Sequence, residues 1–402
     1  MMSSIRFAKR HLLRFLIGAG ALVPATVQAQ VAQEKVFFDT FFAACQATSD
    51  PAFAIVCSNG LSGVLSGGTF VPGASVANVG STGSYTSAGQ VGLQQQRDDL
   101  LGDEEAKKKR KKKGGGSGDL TAGPFGGFVT AQTSRTDRAL TDLENGYNAK
   151  LDGLLIGLDR RFGNALITGA SLGHTDTDSS YVGDAGTMSA RNTTLMLYTT
   201  YLPAPRAYLG AYLGGGQGTQ DATRRIVMGL LISGTAASTT KSRQAMAGLS
   251  GGYNWDSGAL SVSVTGGADY VKNRTDATTE TGTTGLEFTY PKQTTTSLTG
   301  TLGTRASYRS SFTWGAIVSS VRAAYVREFK DDARTVSPRL VVSPSTVFAF
   351  QTDSPDRDYF VGGAGATIEM GRGTQLFVDY EKRGGHAFID TWAASIGLIV
   401  EF

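Results

Sequence analysis

Cysteine, histidine and proline are scarce in this chain of 402 residues, which carries two, three and ten of them respectively. Two cysteines exclude a disulfide-dense scaffold and a four-cysteine zinc site. Charge is also low, 18% of residues against about 25% in soluble domains. Past the N-terminus no apolar run approaches the roughly 20 residues of a membrane-spanning helix, so a membrane-embedded form must be a closed barrel of strands. Glycine is the opposite case. Its 53 residues are too many for a helical protein, yet they follow no G-X-Y period, which excludes collagen. With 40% apolar residues, 14 Tyr and 20 Phe, the chain has enough greasy surface to exclude wholesale disorder.

The chain begins as an export signal. Arg6, Lys9, Arg10 and Arg14 precede a short apolar run, Phe15 to Val23, and Val27-Gln28-Ala29 closes it with small residues. That order predicts a secretory signal peptide over residues 1–29. Without its four basic residues the remaining chain is formally neutral. Export makes a Cys45–Cys57 disulfide an expectation. Residues 30–86 form a short N-terminal segment. Within it Phe37, Phe38, Phe41, Phe42 and Cys45 stand at helical spacing and predict a short helix or a stapled hairpin. Residues 58–86, rich in Gly, Ser, Val and Thr, read as an irregular spacer. Residues 87–118 turn to Gln, Asp, Glu, Lys and Leu, all good helix formers, and Gly114-Gly115-Gly116 ends the run. The predicted helix, of roughly 40 Å at 1.5 Å per residue, is long enough to thread a barrel.

From residue 119 to the end, segments of about ten residues alternate apolar and small or polar side chains. Leu260, Val262, Val264, Gly266, Ala268 and Tyr270 share one face, and Ser261, Ser263, Thr265, Gly267 and Asp269 the other. Twelve strands are predicted, near 124–133, 149–162, 164–174, 188–201, 206–218, 241–255, 258–271, 293–308, 312–327, 357–370, 374–383 and 389–402. Alternate connections are short, around 163, 203–205, 256–257, 309–311 and 371–373. The others, 134–148, 175–187, 219–240, 272–292 and 328–356, are long. Segregation of loop length by end, with an even strand number, distinguishes an outer-membrane barrel from a soluble one. Tyr201, Tyr253, Trp255, Tyr270, Tyr308 and Tyr325 fall near strand ends, where headgroup girdles sit. Parity conflicts in 312–327, where Trp314, Ala316 and Val318 oppose Ile317, Val321 and Tyr325, and predicts a bulge.

Catalytic motifs dissolve into this pattern. Gly169–Gly173 and Gly248–Gly252 match G-x-S-x-G, but a hydrolase needs that motif at a strand-to-helix turn and both lie in alternating segments. Gly214-Gly215-Gly216-Gln217-Gly218 lacks the Lys-Ser/Thr of a phosphate loop. His174 and His386 have no partners at ligand spacing. The reading is non-enzymatic, with no cofactor and no metal. Lys107, Lys108, Lys109, Arg110, Lys111, Lys112 and Lys113 form a basic run at the end of the predicted helix. Export removes nucleic acid as its partner. It is either a solvated helix C-terminus or a contact to anionic lipid or to acidic luminal residues such as Asp152, Asp269, Asp379 and Glu369. Asp103-Glu104-Glu105 could pair with luminal Arg305, Arg322 or Arg383.

The C-terminus carries the strongest likeness. Trp392, Ala394, Ile396, Leu398, Val400 and Phe402 alternate up to a terminal aromatic. Joined to a signal peptide, a lumen-length helix and twelve strands, this resembles the autotransporter β-domain family of type V secretion, over roughly residues 87–402. The resemblance implies an all-β membrane protein: a 12-stranded antiparallel transmembrane barrel in the Gram-negative outer membrane, with an N-terminal helix in its lumen. The function it implies is a translocator or anchor that threads or displays a short N-terminal segment at the cell surface. It further implies that the barrel assembly machinery reads Trp392, Ile396, Leu398, Val400 and Phe402. Periplasmic chaperones would be further partners, outer-membrane lipid the surroundings, and a monomeric barrel the assembly state. No Asn-Asn pair occurs in 87–118, so a self-cleaving junction is not supported. The alternatives are a passive solute channel and an adhesin acting through loops 219–240, 272–292 and 328–356.

Overall fold

The computed structural model describes residues 31–65, 70–71, 124–163, 165–228, 231–370 and 373–402, with side chains from residue 36 to 60 in the N-terminal part. The predicted signal 1–29, the helix over 87–118, its acidic triplet and the basic run Lys107–Lys113 lie outside the described residues.

Twelve antiparallel strands close into one barrel. They are β1 Phe125–Arg138, β2 Tyr147–Phe162, β3 Leu166–Tyr181 and β4 Gly186–Ala204. Next come β5 Ala207–Met228, β6 Ile232–Ser257, β7 Leu260–Thr275 and β8 Gln293–Phe312. β9 Gly315–Glu328, β10 Asp358–Met370, β11 Thr374–Gly384 and β12 Ile389–Glu401 complete the set. Closure is made by β12 on β1, from Ile389↔Arg138 to Glu401↔Gly126, so no sheet edge is left at membrane depth, as a lipid environment demands. Tight turns join the strands at one end, and Gly163, Gly258 and Gly373 there adopt positive φ of 60°, 66° and 69°, a conformation that glycine alone takes without strain.

Alternation sorts the side chains. Leu154, Ile156 and Leu158 on β2, Leu195 and Leu197 on β4 and Leu249 on β6 point outward and are exposed, forming the apolar band that lipid covers. Tyr253, Trp255 and Tyr308 rim it at the tight-turn end and Tyr270 toward the other.

Several expectations need correction. The segments 175–187 and 219–240 are chiefly paired strand: β3 and β4 run to Tyr181 and from Gly186, and β5 and β6 run to Met228 and from Ile232. Antiparallel pairing satisfies backbone groups beyond the membrane as well as within it, so tall hairpins replace loops. The true long excursions are 276–292 and 329–357. They carry short ribbons of their own, Phe288–Tyr290 between Thr278–Thr279 and Arg339–Leu340, and Thr335–Val336 on Phe350–Gln351. No bulge occurs in β9, whose register to β8 and β10 is continuous. Trp314 lies in the turn before it, stacked on Phe312. The irregularity sits instead between Tyr201 and Ala204 of β4.

The spacer reading of 58–86 is also corrected at its start. Helix α1, Val31–Ala47, is followed by a second helix α2, Pro51–Leu65, and Phe70–Val71 pairs with Met228 and Val227 of β5. It occupies the flank of β5 left vacant where β4 stops at Gly186↔Arg224.

Candidate functional site

The described N-terminal residues meet the barrel at its long-loop mouth. Asp50 starts α2: its Oδ1 accepts the amide of Ala52 at 2.8 Å, and Pro51 occupies the first helical position, which has no need of an N–H. Phe37 and Phe41 stand four apart on α1, as do Phe53 and Cys57 on α2, so each helix presents one apolar stripe. Cys45 and Cys57 are disulfide-bonded, Cα to Cα 5.6 Å, which joins the two helices.

That stripe packs on inward-facing Ile226, Met228, Ile232 and Ala236 of the β5–β6 hairpin, and on Leu286, Phe288 and Phe348 from the two long excursions. Phe37 stacks on Phe348 at 5.2 Å, Phe348 meets Phe288 edge-on at 5.1 Å, and Phe41 meets Phe53 at 6.0 Å. Phe41, Phe53 and Phe348 are completely buried, each at about 1.5–3 kcal/mol. Gly60 of α2 permits the approach, since a methyl there would press on Met228 and Phe41 at 3.0–3.1 Å. The two helices are therefore held against the inner face of the β5–β6 hairpin and the two long excursions.

Buried ion pairs pin the excursions. Arg224 donates from Nε and Nη2 to the carboxylate of Glu280 at 2.9 and 2.6 Å, and to the carbonyl of Leu286 at 2.8 Å. Its guanidinium lies 4.6 Å over the Phe288 ring, and Glu280 also accepts the Phe288 amide at 2.8 Å. Across the mouth Arg138 donates to Glu144 and, at 2.6 Å, to Asp353, which also accepts from Thr141 at 2.6 Å. Burial pushes the Glu144 carboxyl up to about 7, with Arg138 opposing the shift and Asp353 adding to it.

In the lumen one device recurs. A long inward side chain crosses a glycine on the next strand and reaches a carboxylate on the strand after. Tyr198 of β4 crosses Gly169 to Asp159, 3.2 Å; Tyr212 of β5 crosses Gly248 to Asp269, 2.7 Å; Arg322 of β9 crosses Gly363 to Glu381, 3.0 Å, and also binds Asp379 twice at 2.6 Å. The registers Tyr198↔Gly169↔Asp159 and Tyr212↔Gly248↔Asp269 align each trio across three strands.

The sequence-selected residues are dispersed. Asp379 and Glu369 face the lumen with arginine partners, Arg322 and Arg309. Asp152 does not: it is exposed on the outer face with Lys150 at 2.7 Å, because its parity on β2 is that of Leu154. Arg383 lies over the Tyr359 ring at 4.5 Å. His174 bonds Thr193 on the outer wall, while His386 stands in a loop 3.8 Å from Asp356. Among the described residues no group of three His, Cys, Asp or Glu could hold a metal. Both G-x-S-x-G matches lie inside β3 and β6, and the glycine run lies in β5. Ile396, Leu398 and Phe402 are exposed on the lipid face, and Phe402 exchanges two backbone hydrogen bonds with Phe125. The Arg224–Glu280 and Arg138–Asp353 pins escape sequence reasoning. Their partners lie 56 and 215 residues apart, and no periodicity announces them.

The family model described as the autotransporter beta-domain matches residues 127–381. No curated protein matches the chain. Among solved structures the translocator domain of autotransporter NalP from Neisseria meningitidis is similar, at TM-score 0.56 and 16% identity, with 79% of this chain and 98% of that one covered. The β-domain of the Bordetella autotransporter BrkA is similar at TM-score 0.52 and 20% identity, over 69% of this chain and all of the other.

Proposed function

The chain belongs to the autotransporter β-domain family, its barrel is an outer-membrane translocator, and we propose that what it carries across is its own short N-terminal segment, retained as a cap on the outer mouth. The observation that supports this most is where two described segments begin and end. Phe70–Val71 pairs at the long-loop rim, with Met228 and Val227. Phe125 opens β1 at the tight-turn rim, opposite Arg160 and Phe402. Long loops face outside and tight turns face the periplasm, so the roughly fifty intervening residues must cross from one rim to the other. A route along the lipid face would put the charges of Lys107–Lys113 and unpaired backbone into hydrocarbon. The lumen is the route this reading assigns to them.

On this reading residues 87–118 thread the pore and the basic run sits near the periplasmic rim. Trp392, Ile396, Leu398, Val400 and Phe402 offer the barrel assembly machinery an aromatic-terminated lipid-face strand. No bond-making chemistry is assigned to the chain.

Planar-bilayer conductance tests it. The chain from residue 30 is expected to conduct weakly, and a chain beginning at Gly118 strongly. High conductance from both makes the protein a channel. Protease added to intact cells is expected to reach α1 and α2, and protection of both helices would place them in the periplasm.

A further inference from the structure

The outward face of the barrel carries charge just beyond the apolar band, and over most of the circumference that charge is paired within the protein. Lys150 meets Asp152 at 2.7 Å, Lys382 meets Asp390 at 3.1 Å, Arg191 meets Asp221 at 3.6 Å and Arg327 meets Asp358 at 3.8 Å. The β6–β7 ladder differs. Lys241 and Arg243 on β6 share the outward parity of exposed Leu249 and Trp255, and Lys272 and Arg274 on β7 share that of exposed Tyr270. Arg243 stands directly opposite Arg274, and Lys272 opposite Ala245, one step beyond the pair Ala247↔Tyr270. Like charges set opposite one another across a ladder destabilise it. Among the described residues none of the four has an ion pair or side-chain hydrogen bond. The carboxylate next along, Asp276, is engaged by Lys292 at 3.9 Å. The flanking positions are neutral: Gln217 and Thr219 on β5, Thr294 and Thr296 on β8.

Arg243 and Arg274 oppose each other, Lys272 lies diagonal to Arg243, and Lys241 stands at the rung of Asp276, which Lys292 engages, so an anion from outside the chain completes the cluster. The height of these four cations supplies the class of that anion. Tyr270 marks the headgroup boundary, and Lys272, Arg274, Arg243 and Lys241 continue past it toward the long-loop end, into the headgroups of the outer leaflet. We propose that Lys241, Arg243, Lys272 and Arg274 form a binding site for the phosphate groups of the glycolipid that makes up that leaflet. Arginine suits the task because its planar fork grips phosphate oxygens in pairs, and the hydroxyls of Thr294 and Thr296 add neutral donors beside it. A bound phosphate between Arg243 and Arg274 converts their repulsion into a bridge between β6 and β7.

The test uses the full exported chain refolded in non-ionic detergent, with bisphosphorylated lipid A as probe. Dephosphorylated lipid A and inorganic pyrophosphate form the other arms. At roughly fivefold per cation at a lipid surface, the variant Lys241→Gln/Arg243→Gln/Lys272→Gln/Arg274→Gln is expected to bind the probe at least about fiftyfold more weakly. Lys150→Gln/Lys382→Gln, which removes paired cations, is expected to leave binding unchanged. Arg274→Gln alone adds a signature of opposite signs. It should raise the thermal midpoint in lipid-free detergent, where it relieves the Arg243 clash, and abolish most of the rise that lipid A confers on the parent chain. This single variant also serves should the fourfold one fail to refold. Equal binding by parent and variants, or equal binding of dephosphorylated lipid A, overturns the site. Tight binding of pyrophosphate that lipid A does not displace overturns the assignment to lipid.

Discussion

Tyr212 closes over Gly248 and, from the same phenol, donates a 2.7 Å hydrogen bond to Asp269, so one side chain on β5 holds β6 and β7 together. A methyl at residue 248 would overlap the ring. Gly248→Ala is therefore expected to lower stability by about 1–3 kcal/mol, the cost of overpacking, read as a lower urea midpoint of the refolded barrel. Gly248→Ala/Tyr212→Ala should lose less than the sum of the two single changes. Strict additivity would separate the glycine from the tyrosine.

Arg224 and Glu280 are both buried, and each is the other's charge partner. Removing one leaves the other unpaired away from water, which costs about 3–5 kcal/mol. In the outer loops this is expected to appear as local opening: Glu280→Gln should accelerate amide exchange at Leu286 and Phe288 while barrel amides in β2 and β3 stay protected. Loss of protection throughout would show that the pin holds the whole barrel and not only its lid.

Cys45 and Cys57 are separated by 12 positions, and closing a loop of that size contributes about 3 kcal/mol in the chain-entropy account. Cys45→Ser/Cys57→Ser is expected to leave the heat-resistant barrel intact on gels while external protease cleaves α1 and α2 faster than in the parent chain. Unchanged cleavage would assign the whole hold to Phe37, Phe41 and Phe53.

Glu144 has an ordinary carboxyl value of 4.5 when unfolded and about 7 in the fold, raised by burial and by Asp353 against the pull of Arg138. A raised value means that the fold prefers the neutral acid. Its contribution is fully present below about pH 4.5 and is lost as pH rises through 7. Amides of 139–146, corrected for intrinsic rates, should exchange more readily at pH 8 than at pH 5, and Glu144→Gln should flatten that dependence. His386 acts in the other direction. Burial and the nearby Arg383 depress it to about 4, so its contribution holds above 6.5 and fades as pH falls through 4.

Much of the architecture was legible because a barrel is periodic. Each strand of 124–402 must alternate between lipid and lumen, so Leu260 to Tyr270 declared two faces before any partner was known. The terminal series to Phe402 and the segregated connections declared the family. Strand ends were less legible: polar alternation beyond the membrane in 175–187 and 219–240 resembles loop sequence, and only pairing distinguishes the two. Asp152 departs from the luminal expectation for a related reason: a charge suits the lumen, but parity with Leu154 puts it outside.

The sequence by itself determined the strand period, the even strand number and the family, all properties of local pattern. Tertiary structure decided the rest: that α1 and α2 pack on the β5–β6 hairpin and the long excursions, that Arg224 meets Glu280, that a glycine lies under Tyr212, and that Arg243 faces Arg274 without a carboxylate. Each of these depends on which residues closure and register bring opposite one another, and a register is a relation between two strands that neither strand carries alone.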